Sequence, residues 1–556
     1  MCSTPRPQSQ IDQVADAWLD RVVDLVPTVG TYIGRTEGDD RYGDYSPAGA
    51  DAYAAAARES LVRIEKAEPV DDVDRVTQAD LARELRIDIE LHEAGWHLRD
   101  LNVLESPAQE IRQVYDLMPT DTEEDWSTYA KRLSGVPAAL EGYTETLREG
   151  LLAGTVPAVR QVHEVADQVR GYAKPGGFFD QAIAGAVGSA DLPAALRRDL
   201  TAGADGARSA YARLARFLDG VLAPRAGERD AVGRDLYALH SRRFLGAEVD
   251  LDETYEWGLD ELARVRDEQE KLAREIRPGA SVDEAVAFLE RDITHKLVGA
   301  EALREWMQAT ADRAVEELGR THFDIPEPVR RIECMIAPTT SGEIYYTGPS
   351  DDFSRPGRMW WSVPEGVETF DTWRELTTVY HEGVPGHHLQ IGQAVVGRDK
   401  LNSWRRLLAG TSGHAEGWAL YAERLMEELG YLDDPAARFG MLDGQRMRAA
   451  RVVLDIGVHL EKPRPDGAGP WSAAYALDFM RRNVNMDDAF VQFEVNRYLG
   501  WPGQAPAYKV GQRIWEQLRD EVAAREGDAF SLKEFHRRAL DLGGVGLDTL
   551  RTALLA

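Results

Sequence analysis

The chain has 556 residues, of which 43% are hydrophobic and 29% charged, so it can form a large core and is too apolar to be disordered. Its formal net charge of −30 argues against a nucleic-acid partner, which needs a basic surface. No run approaches about 18 uninterrupted apolar residues, and the start lacks the apolar segment of a signal peptide. Because Cys2 and Cys334 suggest no disulfide framework, we expect reduced thiols in a cytoplasmic protein without membrane partners.

Helical periodicity dominates the sequence from the start. The first helix carries apolar residues at steps of three and four, namely Ile11, Val14, Trp18, Val22 and Leu25. Ala-, Leu-, Arg- and Glu-rich segments predict further long helices at residues 48–68, 74–102, 123–152, 190–224, 252–277 and 299–319. A soft boundary lies between Gly220 and Gly233, where Pro224 and two changes of charge sign interrupt the pattern. We therefore predict an N-terminal helical half over residues 1–230 and a catalytic half over residues 231–556.

One region departs from the helical pattern, at about residues 333–364. Short β-rich runs alternate there with Gly and Pro, which predicts a small sheet just before the helices that follow. An edge strand of such a sheet could pair with an extended peptide through its backbone groups. Tyr346 is a candidate for substrate contact, whereas core packing is the more frequent role for side chains such as Trp360 and Trp361.

The strongest functional signal follows this sheet, where residues 381–388 read His-Glu-Gly-Val-Pro-Gly-His-His. Catalytic zinc takes three protein ligands from His and Asp/Glu and leaves a fourth position for water. A glutamate beside the first ligand can take the proton of that water, as in the helical zinc motif of metallopeptidases. The pattern predicts His381 as a ligand and Glu382 as the general base, on metal-binding helices over about residues 372–428.

The second histidine ligand is less certain, because the usual spacing of four residues places Pro385 where a histidine is expected. Proline removes a backbone donor and clashes with the preceding turn, so the helix should break there. Such a break could swing His387 back to the metal. In an unbroken helix, His388 would be closer in azimuth to His381 but about 10 Å further along the axis. We favour His387 and keep His388 as the alternative.

Glu416 is the candidate for the third ligand, separated from the histidine pair by 27 intervening residues. Its neighbours Gly413, Ala415 and Gly417 are small, which indicates a close-packed helix, and a buried glutamate needs a partner such as a cation. Glu423, two turns further on, could orient a ligand imidazole. His414 is a rival ligand. In the competing structural interpretation, the histidines merely pack at a helix kink and Glu416 is a surface charge.

Besides Tyr346, four residues outside the metal motif are candidates for a role at the substrate, namely Tyr508 for the oxyanion and Arg355, Lys509 and His459 for contacts. Tyr508 follows a Pro/Gly turn, and its phenol could stabilise the oxyanion that develops during amide hydrolysis. Arg355 or Lys509 could receive a C-terminal carboxylate, in the first case through a bidentate contact. His459 could line the cleft.

These motifs resemble those of the bacterial DUF885 family. The matching segments are residues 354–357, 381–390, 416–421, 504–511 and 530–536, and the resemblance extends over nearly the whole chain. It implies a mainly α fold similar to gluzincin-type peptidases such as neurolysin, with two helical halves that flank a deep channel and a small sheet beside the metal helix. It also implies His381, His387 and Glu416 as ligands of one zinc ion and Glu382 as the base.

The sequence therefore predicts a zinc-dependent hydrolase that cleaves amide bonds in short peptides, as a carboxypeptidase or an oligopeptidase. Two alternatives are an amidase for a specialised small molecule and a non-catalytic peptide-binding protein that retains the fold. Glu382 argues against the second, because a binding protein has no need of a base. Manganese, cobalt or iron could occupy the same ligands as zinc.

Overall fold

The computed structural model of the chain describes residues 6–189, 191–337 and 344–556. As predicted, it is mainly helical. The helices before residue 230 are α1 Gln10–Leu25, α2 Pro27–Tyr32, α3 Pro47–Lys66, α4 Asp72–Glu93, α5 Pro107–Gln113, α6 Glu123–Ala153, α7 Val159–Tyr172, α8 Phe178–Gly188 and α9 Ala194–Phe217. No described helix combines the length and the apolar character needed to cross a membrane.

The remaining helices surround two small sheets. They are α10 Arg234–Leu245, α11 Leu251–Ile276, α12 Val282–Leu289, α13 Ala300–Thr321, α14 Thr372–Glu382, α15 His387–Val396, α16 Ser403–Leu407, α17 Ser412–Glu428, α18 Pro435–His459, α19 Ala473–Arg481, α20 Asp488–Gly500, α21 Gln504–Glu526, α22 Leu532–Asp541 and α23 Leu547–Leu555. The strands are β1 Lys296–Val298, β2 Ile332–Ile336, β3 Ile344–Thr347, β4 Gly357–Trp361 and β5 Thr369–Asp371.

The ends of the helices follow local chain chemistry. Helix α6 spans almost the predicted segment, because the Thr122 hydroxyl caps its start and Gly154 ends it in the left-handed conformation. The segment predicted at residues 74–102 ends early, at Glu93, where Gly95 takes a φ of 71°. Likewise, α9 begins only after Pro193, which favours the first turn of a helix but not its interior.

The sheet predicted near residues 333–364 is confirmed for the described residues. Strand β4 lies in its centre, parallel to β2 and antiparallel to β3. A second, two-stranded sheet pairs β1 with β5 in antiparallel fashion, and β5 runs directly into α14. The two-stranded sheet therefore holds the start of α14, the helix that ends in the metal motif. Residues 338–343, part of the predicted strand region, lie outside the described residues.

Three large apolar cores hold the helices together. One is built from α1, α3 and α4, a second from α5 to α9, and a third from the helices after residue 230 and the end of the chain. Trp404 in α16 is fully buried in the first core. It therefore connects the N-terminal helices to the part of the chain that follows the metal motif. The division of the chain at residue 230 stays a prediction.

Candidate metal centre

The metal motif lies at a break between two helices. Helix α14 ends at Glu382 and α15 begins at His387, as expected from the proline between them. The Trp418 indole on α17 donates to the Pro385 carbonyl oxygen at 2.8 Å and so holds the connection. Gly386 is required there, because a Cβ atom would lie 1.8 Å from the His381 carbonyl oxygen. The break reorients the chain after the first histidine.

The reoriented segment brings three side chains together with Glu416. The Nε2 atoms of His381 and His387 lie 3.3 and 3.6 Å from the same carboxylate oxygen of Glu416. The two imidazole rings are nearly perpendicular, at 89°, with centroids 4.9 Å apart. Glu382 offers a carboxylate oxygen that, with one nitrogen of each imidazole, forms a group within 4.8 Å of one another.

These distances fit a tetrahedral metal ion. Two ligand atoms bound about 2.1 Å from a tetrahedral zinc ion lie about 3.4 Å apart. The separations of 3.3 and 3.6 Å match this edge length. Glu416 Oε2 is buried and has no hydrogen-bond partner among the described residues, which a cation would correct. Two imidazoles and a carboxylate are also a donor set that suits zinc.

The alternative histidines lie in other hydrogen-bond networks. His388 Nδ1 is 2.9 Å from the Tyr346 hydroxyl, and His388 Nε2 is 2.7 Å from the Val329 carbonyl oxygen. Because both ring nitrogens are engaged, His388 has no nitrogen left for a metal ion. His414 is buried with its Nδ1 atom 3.3 Å from the Gln390 amide nitrogen, outside the group formed by His381, Glu382 and His387.

Charge within the cluster also favours a cation. Burial lowers the pKa of His381, but the carboxylates of Glu416, Glu423 and Glu382 outweigh this and raise the pKa to about 10. Burial raises the pKa of Glu416, yet the two imidazoles lower it well below its usual range. Burial raises the pKa of Glu382, and His387 and His381 only partly oppose the shift. The metal-free cluster therefore holds positive charge on an imidazole, where a metal ion would otherwise supply it.

Glu423 contacts the ring nitrogen of His381 that faces away from Glu416, as its position two turns after Glu416 suggested. Its Oε1 atom lies 2.8 Å from His381 Nδ1, and its Oε2 atom accepts a 3.1 Å hydrogen bond from the Gln445 amide. With Nδ1 held by a carboxylate, His381 presents Nε2 to Glu416 and the centre. This is the usual arrangement behind a metal-bound imidazole.

Tyr508 lies on α21, which packs in close contact with α17, the helix that carries Glu416. A Cβ atom on Gly417 would lie 2.5 Å from the Gly511 carbonyl carbon, and one on Gly511 would lie 2.3 Å from the Gly413 carbonyl oxygen. Only glycines allow this approach. Burial raises the pKa of Tyr508 and the negative charge of Glu416 adds to the shift, so its phenol stays protonated at neutral pH.

Two predicted substrate contacts are buried and have other partners. Lys509 is 2% exposed, and its ammonium group forms a buried ion pair with Glu261 at 2.8 Å, so it is not free for a carboxylate. His459 is fully buried, and its Nε2 atom lies 3.0 Å from the Tyr498 carbonyl oxygen. Each residue is a polar side chain near a motif, but the motif does not reveal which face of its helix is buried in the core.

The other two predicted contacts lie on the sheet side of the centre. Tyr346 in β3 contacts His388, and a Cβ atom at Gly357 would overlap its hydroxyl at 1.9 Å, so this packing requires glycine. Burial raises the pKa of Tyr346, which also senses the charges of Arg355 and Glu382. Arg355 is exposed in the loop before β4, near enough to Tyr346 to affect it electrostatically.

A large cavity of about 1280 Å³ lies between α12, α14, α18, α20 and β3, and sequence analysis did not identify the arginine residues that line it. Its charged lining residues are Arg374, Arg451, Arg497, Asp283, Glu290, Asp487 and Glu494. Arg451 and Arg497 contact Glu494 at 2.7 and 3.1 Å. The Arg451 guanidinium lies 5.2 Å from the Tyr508 ring centroid, which places Tyr508 beside this wall. No local pattern distinguishes these two among the 65 basic residues of the chain.

Solved structures share this fold. A "putative lipoprotein" from Colwellia psychrerythraea superposes with a TM-score of 0.85 at 22% identity, over 98% of each chain. A protein with the same description, of unknown function, from Shewanella oneidensis gives 0.75 at 17% identity, over 98% of this chain and 100% of its own. A Pyrococcus furiosus carboxypeptidase gives 0.45 at 12% identity, over 99% and 96% of the chains. The first two structures share the fold of this chain. At identities this low, the likeness says nothing about activity.

Comparison with known sequences identifies the family. No curated protein matches the chain. The family model described as a bacterial protein of unknown function, DUF885, matches residues 27–554, which is nearly the whole sequence. The chain therefore belongs to the DUF885 family.

Proposed function

We propose that this protein is a zinc-dependent hydrolase that cleaves amide bonds in short peptides. The observation that carries the proposal is the placement of His381, His387 and Glu416 at the edge lengths of a tetrahedral metal site. Glu382 adjoins this set, and its position next to a ligand in the chain is that of the base in zinc peptidases.

The roles follow from the chemistry of the side chains. When bound, a zinc ion supplies polarisation of the scissile carbonyl and lowers the pKa of a water molecule. Glu382 accepts the proton of the attacking water and donates it to the leaving nitrogen, and burial raises its pKa above that of an ordinary glutamate. Tyr508, a protonated phenol near Glu416, donates a hydrogen bond to the developing oxyanion.

The surroundings of the centre support a peptide as the substrate. Strand β3 is at one end of the order β2-β4-β3 among the described strands, where an extended peptide could add as a further strand. Its Ile344 lines the large cavity, which we take as the deep channel expected of a gluzincin-like peptidase. Met486, Phe490 and Phe493 are exposed apolar side chains of the same cavity and suit apolar substrate residues.

The cavity also offers a place for a terminal carboxylate. Arg451 and Arg497 both contact Glu494, so two guanidinium groups share one carboxylate at this part of the cavity wall. Arg355, at the sheet side, is the second candidate. Either site would make the enzyme a carboxypeptidase, whereas an oligopeptidase has no need of a free terminus.

Peptides that differ only at the C-terminus test this function. We expect the zinc-loaded protein to cleave short peptides with a free carboxylate and to lose turnover on the C-terminal amides, measured by mass spectrometry of the products. Equal cleavage of both forms would identify an oligopeptidase. No cleavage of any peptide by a protein shown to contain zinc would contradict the proposed function and favour a small-molecule amidase or a binding protein.

We expect Tyr508→Phe to lower kcat by about 10²- to 10³-fold, because the oxyanion loses one hydrogen-bond donor, and to leave KM nearly unchanged. Steady-state kinetics on a cleaved peptide measures both constants. Tyr421→Phe is the matched control, since the Tyr421 hydroxyl contacts His536 at 2.8 Å in the core rather than the metal cluster. If Tyr508→Phe retains full kcat, Tyr508 has no role in the reaction.

The cellular location stays a prediction. The Colwellia and Shewanella relatives are described as lipoproteins, whereas the sequence led us to expect a cytoplasmic protein. Fractionation of the native host, followed by detection with an antibody, would distinguish the two locations.

A further inference from the structure

A chain of buried hydrogen bonds runs from His381 to residues outside the metal centre. It passes from His381 through Glu423 to Gln445, as described above, and continues to Lys509. The Gln445 side-chain oxygen accepts a hydrogen bond of 2.5 Å from the Lys509 ammonium group. Each of the four side chains is at most 5% exposed. The residues come from α14, α17, α18 and α21, so the chain joins four helices.

Lys509 lies at the end of this chain of hydrogen bonds opposite His381, and all three of its N–H donors have acceptors. An ammonium group has three N–H donors and no acceptor. Lys509 has three acceptors, the side-chain oxygens of Gln445, Gln512 and Glu261, at 2.5, 2.9 and 2.8 Å. Glu261 also binds Arg264 through two contacts of 2.6 Å. The position of the ammonium group is therefore fixed from several directions.

The donor character of Lys509 determines which way the Gln445 amide points. Because an ammonium group cannot accept a hydrogen bond, it must face the amide oxygen, and the amide nitrogen is then directed to Glu423. Glu423 consequently receives one N–H from Gln445 and has its other oxygen left for His381. If the amide were reversed, its oxygen would face the carboxylate and repel it.

We propose that Lys509 is a positioning residue of the metal centre, which fixes the orientation of His381 through Gln445 and Glu423. The residue therefore acts at a distance from the ligands, without touching the substrate or the metal ion. The inference rests on the proposed metal centre. It gives a role to a buried lysine that the sequence had suggested as a substrate contact.

Metal affinity tests the role of Lys509 directly. We expect Lys509→Met, which keeps the length of the side chain but removes its donors, to weaken zinc binding by about tenfold or more. Competition with a chromogenic chelator measures this without any enzymatic assay. The variant should fold, because Glu261 retains its two contacts with Arg264.

A double variant shows whether the effect passes through Gln445. We expect Gln445→Leu alone to weaken zinc binding by a similar factor, and the addition of Lys509→Met to Gln445→Leu to cause little further loss. If the loss of zinc affinity in the double variant equals the product of the two single losses, the two residues act separately and the proposal is overturned.

A matched control separates positioning from loss of stability. Arg132 is another fully buried cation, which donates to the Gly38 carbonyl oxygen and belongs to the helices of the second core. Arg132→Met should lower the melting temperature but leave zinc affinity unchanged. If Lys509→Met and Arg132→Met reduce zinc affinity equally, the role assigned to Lys509 is wrong.

Nuclear magnetic resonance of the metal-free protein provides an independent measurement. In protein labelled with ¹⁵N-histidine, the Nδ1–H proton of His381 should exchange slowly with solvent, because Glu423 holds it in a buried position. We expect faster exchange in Lys509→Met, and unchanged exchange would overturn the proposal. If the wild-type protein binds no zinc, the proposed function fails, whereas this experiment still decides whether Lys509 positions His381.

Discussion

His387→Ala is expected to weaken zinc binding by more than about 100-fold, whereas His388→Ala should retain a bound ion. Loss of an outer partner of a ligand costs about 10- to 100-fold, and loss of a ligand itself costs more. His387 directs Nε2 toward Glu416 at 3.6 Å, but both ring nitrogens of His388 are engaged by Tyr346 and Val329. Elemental analysis and chelator competition on the two purified variants measure the difference.

The two variants should also differ in stability, in the opposite order. His388→Ala leaves the buried Val329 carbonyl oxygen without its 2.7 Å partner, which costs about 1–3 kcal/mol of unfolding free energy. His387→Ala removes a side chain whose buried Nδ1 atom has no hydrogen-bond partner among the described residues, so it should destabilise the metal-free protein less. If the His388→Ala variant contains no zinc and the His387→Ala variant retains it, His388 rather than His387 is the second ligand.

The sequence was sufficient to predict the break in the metal helix, because its cause is local. Pro385 cannot continue an α-helix, whatever the rest of the protein does, and Gly386 has no side chain to obstruct the turn. The long helices were predictable for a similar reason, since their apolar stripes and terminal residues lie within single segments. The early end of α4 at Glu93 was not predicted, because the apolar pattern continues while Gly95 changes the backbone conformation.

The partners of buried polar residues were not predictable, because they come from distant segments. Lys509 meets Gln445, 64 positions away, and also Glu261 in another helix. A lysine beside a Pro/Gly turn appears equally suited to a substrate carboxylate until these acceptors are located. The parallel pairing of β2 with β4 is likewise absent from the pattern of β-rich runs, since register and direction depend on the whole sheet.

Glu382→Gln and Glu416→Gln should produce opposite defects, although each replaces a carboxylate by an amide of the same shape. Without the carboxylate of Glu382, no base takes the proton of the attacking water, so we expect turnover to fall by about 10²- to 10⁴-fold while zinc is retained. Without the charge of Glu416, two imidazoles hold the ion alone, so we expect zinc to be lost. Zinc content and kcat measured on the same preparations distinguish the two defects.

The comparison is informative because both carboxylates lie close to the histidines. The Glu382 oxygen lies within 4.8 Å of both imidazoles, and the Glu416 oxygen lies at 3.3 and 3.6 Å. If Glu382→Gln loses zinc and Glu416→Gln retains it, the two residues exchange roles, and the general base must then come from the later helix. If both variants retain zinc and full turnover, neither carboxylate takes part in an amide hydrolysis at this centre.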